Sequence, residues 1–313
     1  MIIKNGDIRN IALLTGAYGT GKSTVMRHDI KDCYEHTKDT IVIIDCYGEC
    51  TELVKSLGGT EIIFPNKFNS FNPFFPDMDY MYLKTIMAAM TNYFDFPSLT
   101  HKEKDFLKKV IDSNMCHNIN DLKEALVNTN FDLKTAVDYL CKNKIFSNDT
   151  LFFDKKSRVI SVNLRYVPDG LLPVAYIYAI SCIKNNLQPK NAIRFYFEGL
   201  DYILRKQTRT SESIKYFKRL FKHSKQNHEI IVFVGYDEDF IATKIFPSDI
   251  VVLVFNMSEN YLNELVYQDI IPAQLVPLIN CKINSPRQFK YVEVRGNYVA
   301  IVLCDEYKYG GKL

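Results

Sequence analysis

A chain of 313 residues, 47% hydrophobic and 24% charged, carries ample apolar material for one large α/β domain or two smaller ones. Its 39 basic and 36 acidic residues leave a net charge of +3, which excludes an overall nucleic-acid-binding signature but not a local basic face. No apolar run approaches the roughly 18–20 residues that span a bilayer, and the opening MIIKNGDIRN lacks the apolar core of a signal peptide. The chain is therefore expected to be cytoplasmic. Its eight cysteines are scattered, with Cys46 and Cys50 the nearest pair and no histidine or second cysteine pair beside them. Reduced, mostly buried thiols are expected, with no metal site built from Cys or His.

In chain order, the apolar run IALLTG (11–16) predicts a buried strand, and GAYGTGKS, continuing into a helical pattern over 22–36, matches G-x-x-x-x-G-K-[ST]. Glycines let such a loop curl so that successive N–H groups point at phosphate oxygens, and the following helix aims the positive end of its dipole at the same anion. The expected nucleotide cradle is Gly16, Ala17, Tyr18, Gly19, Thr20, Gly21, Lys22, Ser23 and Thr24. Lys22 would reach the β- and γ-phosphates of ATP, and the Ser23 hydroxyl would ligate Mg2+.

Further strands are predicted at IVIID (41–45) and EIIF (61–64). The stretch 78–150 reads as four helices with no strand among them, and Asn118 offers the third a capped start. RVISVNL (158–164), IRFYFE (193–198), EIIVFVG (229–235) and DIVVLVF (249–255) then read as strands, separated by helical patterns at 170–187 and 211–226 and followed by one at 258–267. Finally, FKYVEVRGNYVAIVLC (289–304) reads as a hairpin turning at Arg295-Gly296-Asn297. The alternation predicts an α/β fold with a mostly parallel sheet, an inserted all-helical subdomain and a C-terminal β-hairpin.

The stretch 41–74 places Asp45 at a strand end, then Gly48-Glu49, Gly58-Gly59 and Phe71-Asn72-Pro73-Phe74. With the P-loop, this order resembles the conjugation and type IV secretion ATPases of the VirB-four/TraC/TraE class, in the HerA–FtsK group of RecA-like P-loop NTPases. The likeness covers most of residues 8–304. It implies a RecA-like core in two parts, 1–77 and 151–313, around the helical subdomain at 78–150. Members of this class carry a large N-terminal docking domain. Here the P-loop strand starts at residue 11, so an isolated motor domain or a compact relative is expected.

The resemblance also implies a second half of the catalytic site. Laid on the family pattern, Glu198 takes the place of the catalytic glutamate that polarises the attacking water, while Phe197 stands where the metal-side aspartate belongs. Asp45 or Asp201 would have to compensate at the metal. Gly235-Tyr236 replace the family's Thr-Gln, with Asp239 fitting the final Asp of that motif. Lys225 and Arg295 are candidates for cations reaching a nucleotide across a subunit boundary, and an ordinary solvated charge explains either as well.

Four functions follow from these residues. The leading expectation is a motor ATPase, assembled as a hexameric ring with other proteins of the apparatus at the cytoplasmic face of the membrane, with DNA or protein as cargo. A degenerate ATPase that binds nucleotide as a scaffold is the alternative. A HerA/FtsK-like DNA translocase comes next, with KYFKRLFKHSK (215–225) and RKQTR (205–209) as its candidate basic rim. A small-molecule kinase would leave the Gly-Gly, Asn-Pro-Phe and helical-insert pattern unexplained.

Overall fold

In the computed structural model of the chain, the described residues are 1–4, 7–64, 72–74, 78–93, 99–142, 156–187, 191–199, 212–235, 247, 249–280, 288–295 and 298–305. β1 (Ile11–Thr15), α1 (Lys22–His36), β2 (Thr40–Asp45), α2 (Thr51–Ser56) and β3 (Thr60–Ile63) come first. Four helices follow: α3 (Tyr80–Tyr93), α4 (His101–Ser113), α5 (Ile119–Leu126) and α6 (Asp132–Lys142). The chain continues through β4 (Val159–Asn163), α7 (Leu172–Asn186), β5 (Ile193–Glu198), α8 (Glu212–Ser224), β6 (Glu229–Gly235) and β7 (Val251–Phe255). It ends with α9 (Glu259–Tyr267), α10 (Val276–Asn280), β8 (Gln288–Arg295) and β9 (Tyr298–Asp305).

These strands form one nine-stranded sheet in the order β3-β4-β2-β5-β6-β1-β7-β8-β9. Pairings from β3 to β7 are parallel, and β8 and β9 add an antiparallel hairpin at one edge. The parallel strands inside the sheet, β4, β5, β6, β1 and β7, are buried on both faces, which is why they read as continuous apolar runs rather than alternating ones. One face, with Leu14, Ile43, Tyr196 and Val232, packs against Val25, Met26 and Ile30 of α1 and against Leu53 and Val54 of α2. The other, with Leu13, Ile44, Phe197 and Phe233, packs against α3, α7, α8 and α9.

The four helices over 80–142 belong to that second core. Leu83 and Met87 of α3, Leu107 of α4, Leu122 of α5 and Val137 of α6 lie in the same buried apolar cluster as the sheet residues. Local capping fixes their ends. Thr100 and Glu103 form a reciprocal capping box on α4, and Asn118 caps α5 by accepting from the N–H groups of Asn120 and Asp121. The buried Glu103 carboxylate also accepts from Leu133 N–H at 3.1 Å, tying α6 to the start of α4.

Phe197 sits at the centre of an aromatic cluster on this face. Its ring lies 5.6 Å from Tyr176, 5.6 Å from Phe195 and 5.2 Å from Phe233, centroid to centroid. Phe197→Ala should therefore cost about 3–5 kcal/mol in urea unfolding. Phe197→Asp, which adds an unpaired buried charge, should leave the protein unfolded or insoluble. A soluble Phe197→Asp protein of unchanged stability would contradict this packing.

Candidate nucleotide site

The chain leaves the carboxyl end of β1 and turns through Gly16–Gly21 into α1. Ala17 N–H donates to Asn256 O at 2.8 Å, which fastens the loop to the end of β7. Gly19 and Gly21 take φ of 75° and 96°, left-handed conformations that favour glycine and let the loop curl back on itself. Lys22 is buried and reaches back across the loop, its Nζ donating to Gly16 O at 2.7 Å and Ala17 O at 2.5 Å. No side chain caps the start of α1, and its first turn holds no acidic residue. Its N-terminal amides therefore offer donors and a positive dipole end to an anion. This donor set suits a phosphate chain: glycine backbone, uncapped helix N-terminus, and an ammonium held on carbonyls that a phosphate can replace.

α1 returns over β6, which lies between β1 and β5. That path brings Ser23 to the carboxyl end of β5, where its hydroxyl donates to Glu198 Oε1 at 2.8 Å. Glu198 is fully buried. Successive strand residues face opposite sides of the sheet, so Phe197 points away from Ser23 into the aromatic core. The β5 residue facing Ser23 is Glu198. After it the chain turns through Gly199 at φ 78°, where a Cβ would stand 2.8 Å from that of Cys46.

Asp45 is paired with Glu198 in the β2–β5 register. Its carboxylate is taken up by its own turn. Oδ1 accepts from Tyr47 N–H at 2.9 Å and Gly48 N–H at 2.7 Å, and Oδ2 from Cys50 N–H at 2.8 Å. Glu49 then extends to Arg27 of α1 at 2.7 Å, locking this turn against the helix that carries Ser23. Asp45, Cys50 and Glu198 bring ligand atoms within 4.8 Å of one another. Cys50 joins this group through the turn that follows β2, a proximity that Cys and His spacing along the chain does not reveal. Burial, followed by the charges of Asp45 and Glu198, pushes the Cys50 thiol well up, so it stays protonated and a poor ligand.

No protein-family profile matches the chain, and no curated protein does. Among solved structures, VirB4 of Thermoanaerobacter pseudethanolicus superposes with a TM-score of 0.77 at 14% identity, over 96% of this chain and 91% of that one. The bacterial conjugative coupling protein TrwBdeltaN70 follows at 0.59 and 13% identity, over 97% and 86%. TrwB in complex with the non-hydrolysable GTP analogue GDPNP gives 0.56 and 13%, over 95% and 86%. The chain has the VirB4 and TrwB fold. This is the RecA-like P-loop architecture expected from the sequence.

Within the VirB4-like fold, the remaining sequence-predicted residues are distributed unevenly. Tyr18 is strongly exposed (87%) in the loop, Thr20 Oγ1 donates to Ala17 O at 2.7 Å, and Thr24 lies in the first turn of α1. Gly235 ends β6 opposite Thr15, while Tyr236, Asp239 and Asp201 lie outside the described residues. Lys225 and Arg295 stand at the opposite, amino-terminal edge of the sheet. Lys225 Nζ donates to Ile8 O at 3.1 Å. Arg295 faces Val251 across the β7–β8 pairing and forms an ion pair with Asp7 at 2.9 Å as well as one with Glu293. Neither cation reaches the loop of its own chain, because the antiparallel hairpin delivers Arg295 to the wrong end of β7. No helix among the described residues is long and apolar enough to cross a membrane.

Burial, then the neighbouring Asp45 charge, raises Glu198 to about 7, with the Ser23 hydroxyl acting the other way. A carboxyl raised by folding binds its proton more tightly in the folded state, so its contribution to stability is lost as pH climbs from the unfolded pKa to about 7. Glu198→Gln should therefore be more stable than wild type by about 3 kcal/mol at pH 8 and by less than about 1 kcal/mol at pH 5, measured by urea unfolding. Equal stability at both pH values would contradict the buried, Asp45-coupled carboxyl.

Proposed function

We propose that the chain is an ATP-binding motor ATPase of a conjugation or type IV secretion machine, working as a ring of identical subunits. The observation that carries this reading is the meeting of Ser23, from the P-loop, with the buried carboxylate of Glu198 at 2.8 Å. The likeness to VirB4 and TrwB supports the choice of machine. Lys22 would exchange its loop carbonyls for the β- and γ-phosphates, and Ser23 would exchange Glu198 for Mg2+. Bound Mg2+ would supply charge neutralisation between the phosphates. Glu198 would take the metal-side role, accepting hydrogen bonds from the ion's water shell. Asp45 would act one step further out, holding the turn and tuning Glu198. The ring would associate with other apparatus proteins at the inner face of the membrane and act on DNA or protein.

A second reading rests on Gly199. With Glu198 ending β5 opposite Ser23, the residue that follows the strand has no side chain, so this strand end offers no second carboxylate to orient the attacking water. That favours a nucleotide-binding scaffold, or a motor whose water-orienting group comes from elsewhere, over a self-sufficient ATPase.

Calorimetry with MgATP and a phosphate-release assay separate the two, on wild type, Lys22→Ala and Glu198→Gln, with and without DNA. Lys22→Ala should weaken MgATP by about 10–100-fold, the worth of charged hydrogen bonds. A motor should lose turnover by about 10²–10³-fold in Glu198→Gln, the scale for removing one charge-stabilising group. Tight binding with wild-type release no faster than the variants would establish the scaffold. Absence of MgATP binding would overturn both readings.

A further inference from the structure

A cavity of about 540 Å³ opens between α3, α7 and α8. It lies near the amino-terminal edge of the sheet, beside Glu229 at the start of β6, and so at the opposite edge from the P-loop. Its size falls in the range of small-molecule sites. Arg219 and His223, four residues apart on α8, share one helix face and both line it. From α7, Ser181, Lys184 and Asn185 converge on the same space.

The polar groups are unevenly satisfied. Lys184 is paired with Glu229 at 2.6 Å, and the Ser181 and Tyr216 hydroxyls are 2.8 Å apart. His223 Nδ1 lies 3.1 Å from Gln226 Oε1. Arg219 is different: its Nε is buried without a hydrogen-bond partner, and no carboxylate among the described residues forms an ion pair with it. A buried guanidinium N–H left unpaired costs free energy, and the same guanidinium side chain lines the cavity. Asp79 is the acidic residue lining the cavity, and its Oδ1 already accepts from Tyr82 N–H at 2.6 Å at the start of α3. Exposed Lys218 and Lys222 on α8 keep the local field positive.

We propose that this cavity binds a phosphorylated small molecule with an apolar or aromatic body, independently of the P-loop. A phosphate offers acceptor oxygens to the Arg219 guanidinium, with the His223 ring beside it on the same helix face. The volume exceeds what a bare phosphate fills. Met78 and Leu220, together with the rings of Tyr82 and Tyr216, line the remainder and suit an apolar body.

Phenyl phosphate is the probe, titrated by calorimetry into full-length Lys22→Ala protein so that the P-loop contributes little. Binding near one equivalent per chain is expected, tighter than that of inorganic phosphate. Adding Arg219→Met should weaken it by about tenfold or more, and His223→Gln should weaken it as well. Lys218→Met, on the exposed face of the same helix, should change it by less than twofold. Thermal unfolding of each variant establishes that it is folded. No binding to Lys22→Ala would overturn the proposal. So would an equal loss in Lys218→Met, which would indicate unspecific attraction to a basic surface.

Discussion

Adjacent residues of a β-strand face opposite sides of the sheet, and at the end of β5 that alternation gives Phe197 and Glu198 opposite fates. Phe197 enters an aromatic core shared with α7 and β6. Glu198 emerges beneath the first turn of α1, in contact with Ser23. The contact depends on topology as much as on residue type. One strand, β6, lies between β1 and β5, and α1 must cross it to bring its N-terminus over the carboxylate.

Around this contact the chain arranges two buried carboxyl groups with different hydrogen-bond partners. Asp45 and Glu198 are cross-strand neighbours on β2 and β5. Two acids so close would ordinarily repel, and the fold separates their roles through hydrogen bonding. Asp45 receives three backbone N–H groups from its own turn, which occupy both of its carboxylate oxygens. Glu198 accepts from the Ser23 hydroxyl and, at 4.0 Å, from the Cys50 thiol, and burial followed by the Asp45 charge holds its proton up to about 7. The result is one carboxylate committed to architecture and one poised beside the phosphate loop. A strained or destabilised charge of this kind is common where function, rather than stability, selects the residue.

Much of the architecture is legible in the sequence. The parallel strands inside the sheet are buried on both faces, so each stands out as a continuous apolar run, and the glycine pattern at Gly16–Ser23 carries its own physical reason. Asn118 can be read as a cap because the capping residue and its two N–H donors are neighbours in the chain. What linear reading misses is set by pairing. Which of Phe197 and Glu198 faces Ser23 depends on the face that β5 turns toward α1, a relation between residues 175 positions apart. The engagement of Asp45 depends on how a four-residue turn folds back on it. Arg295 reads as a free hairpin cation until the antiparallel register brings it to Asp7, 288 residues away. The helical stretch reads as an inserted subdomain because it interrupts the alternation, and its buried apolar residues pack in the same cluster as those of the sheet.

The central claim is that the Ser23–Glu198 contact marks the metal side of a nucleotide site. Its most direct test is anomalous X-ray scattering from crystals grown with Mn2+ and a non-hydrolysable ATP analogue. The account predicts a single manganese peak beside Ser23 Oγ, with the Ser23–Glu198 hydrogen bond opened and Glu198 facing the ion's shell. A nucleotide bound with manganese elsewhere and that hydrogen bond intact would contradict it.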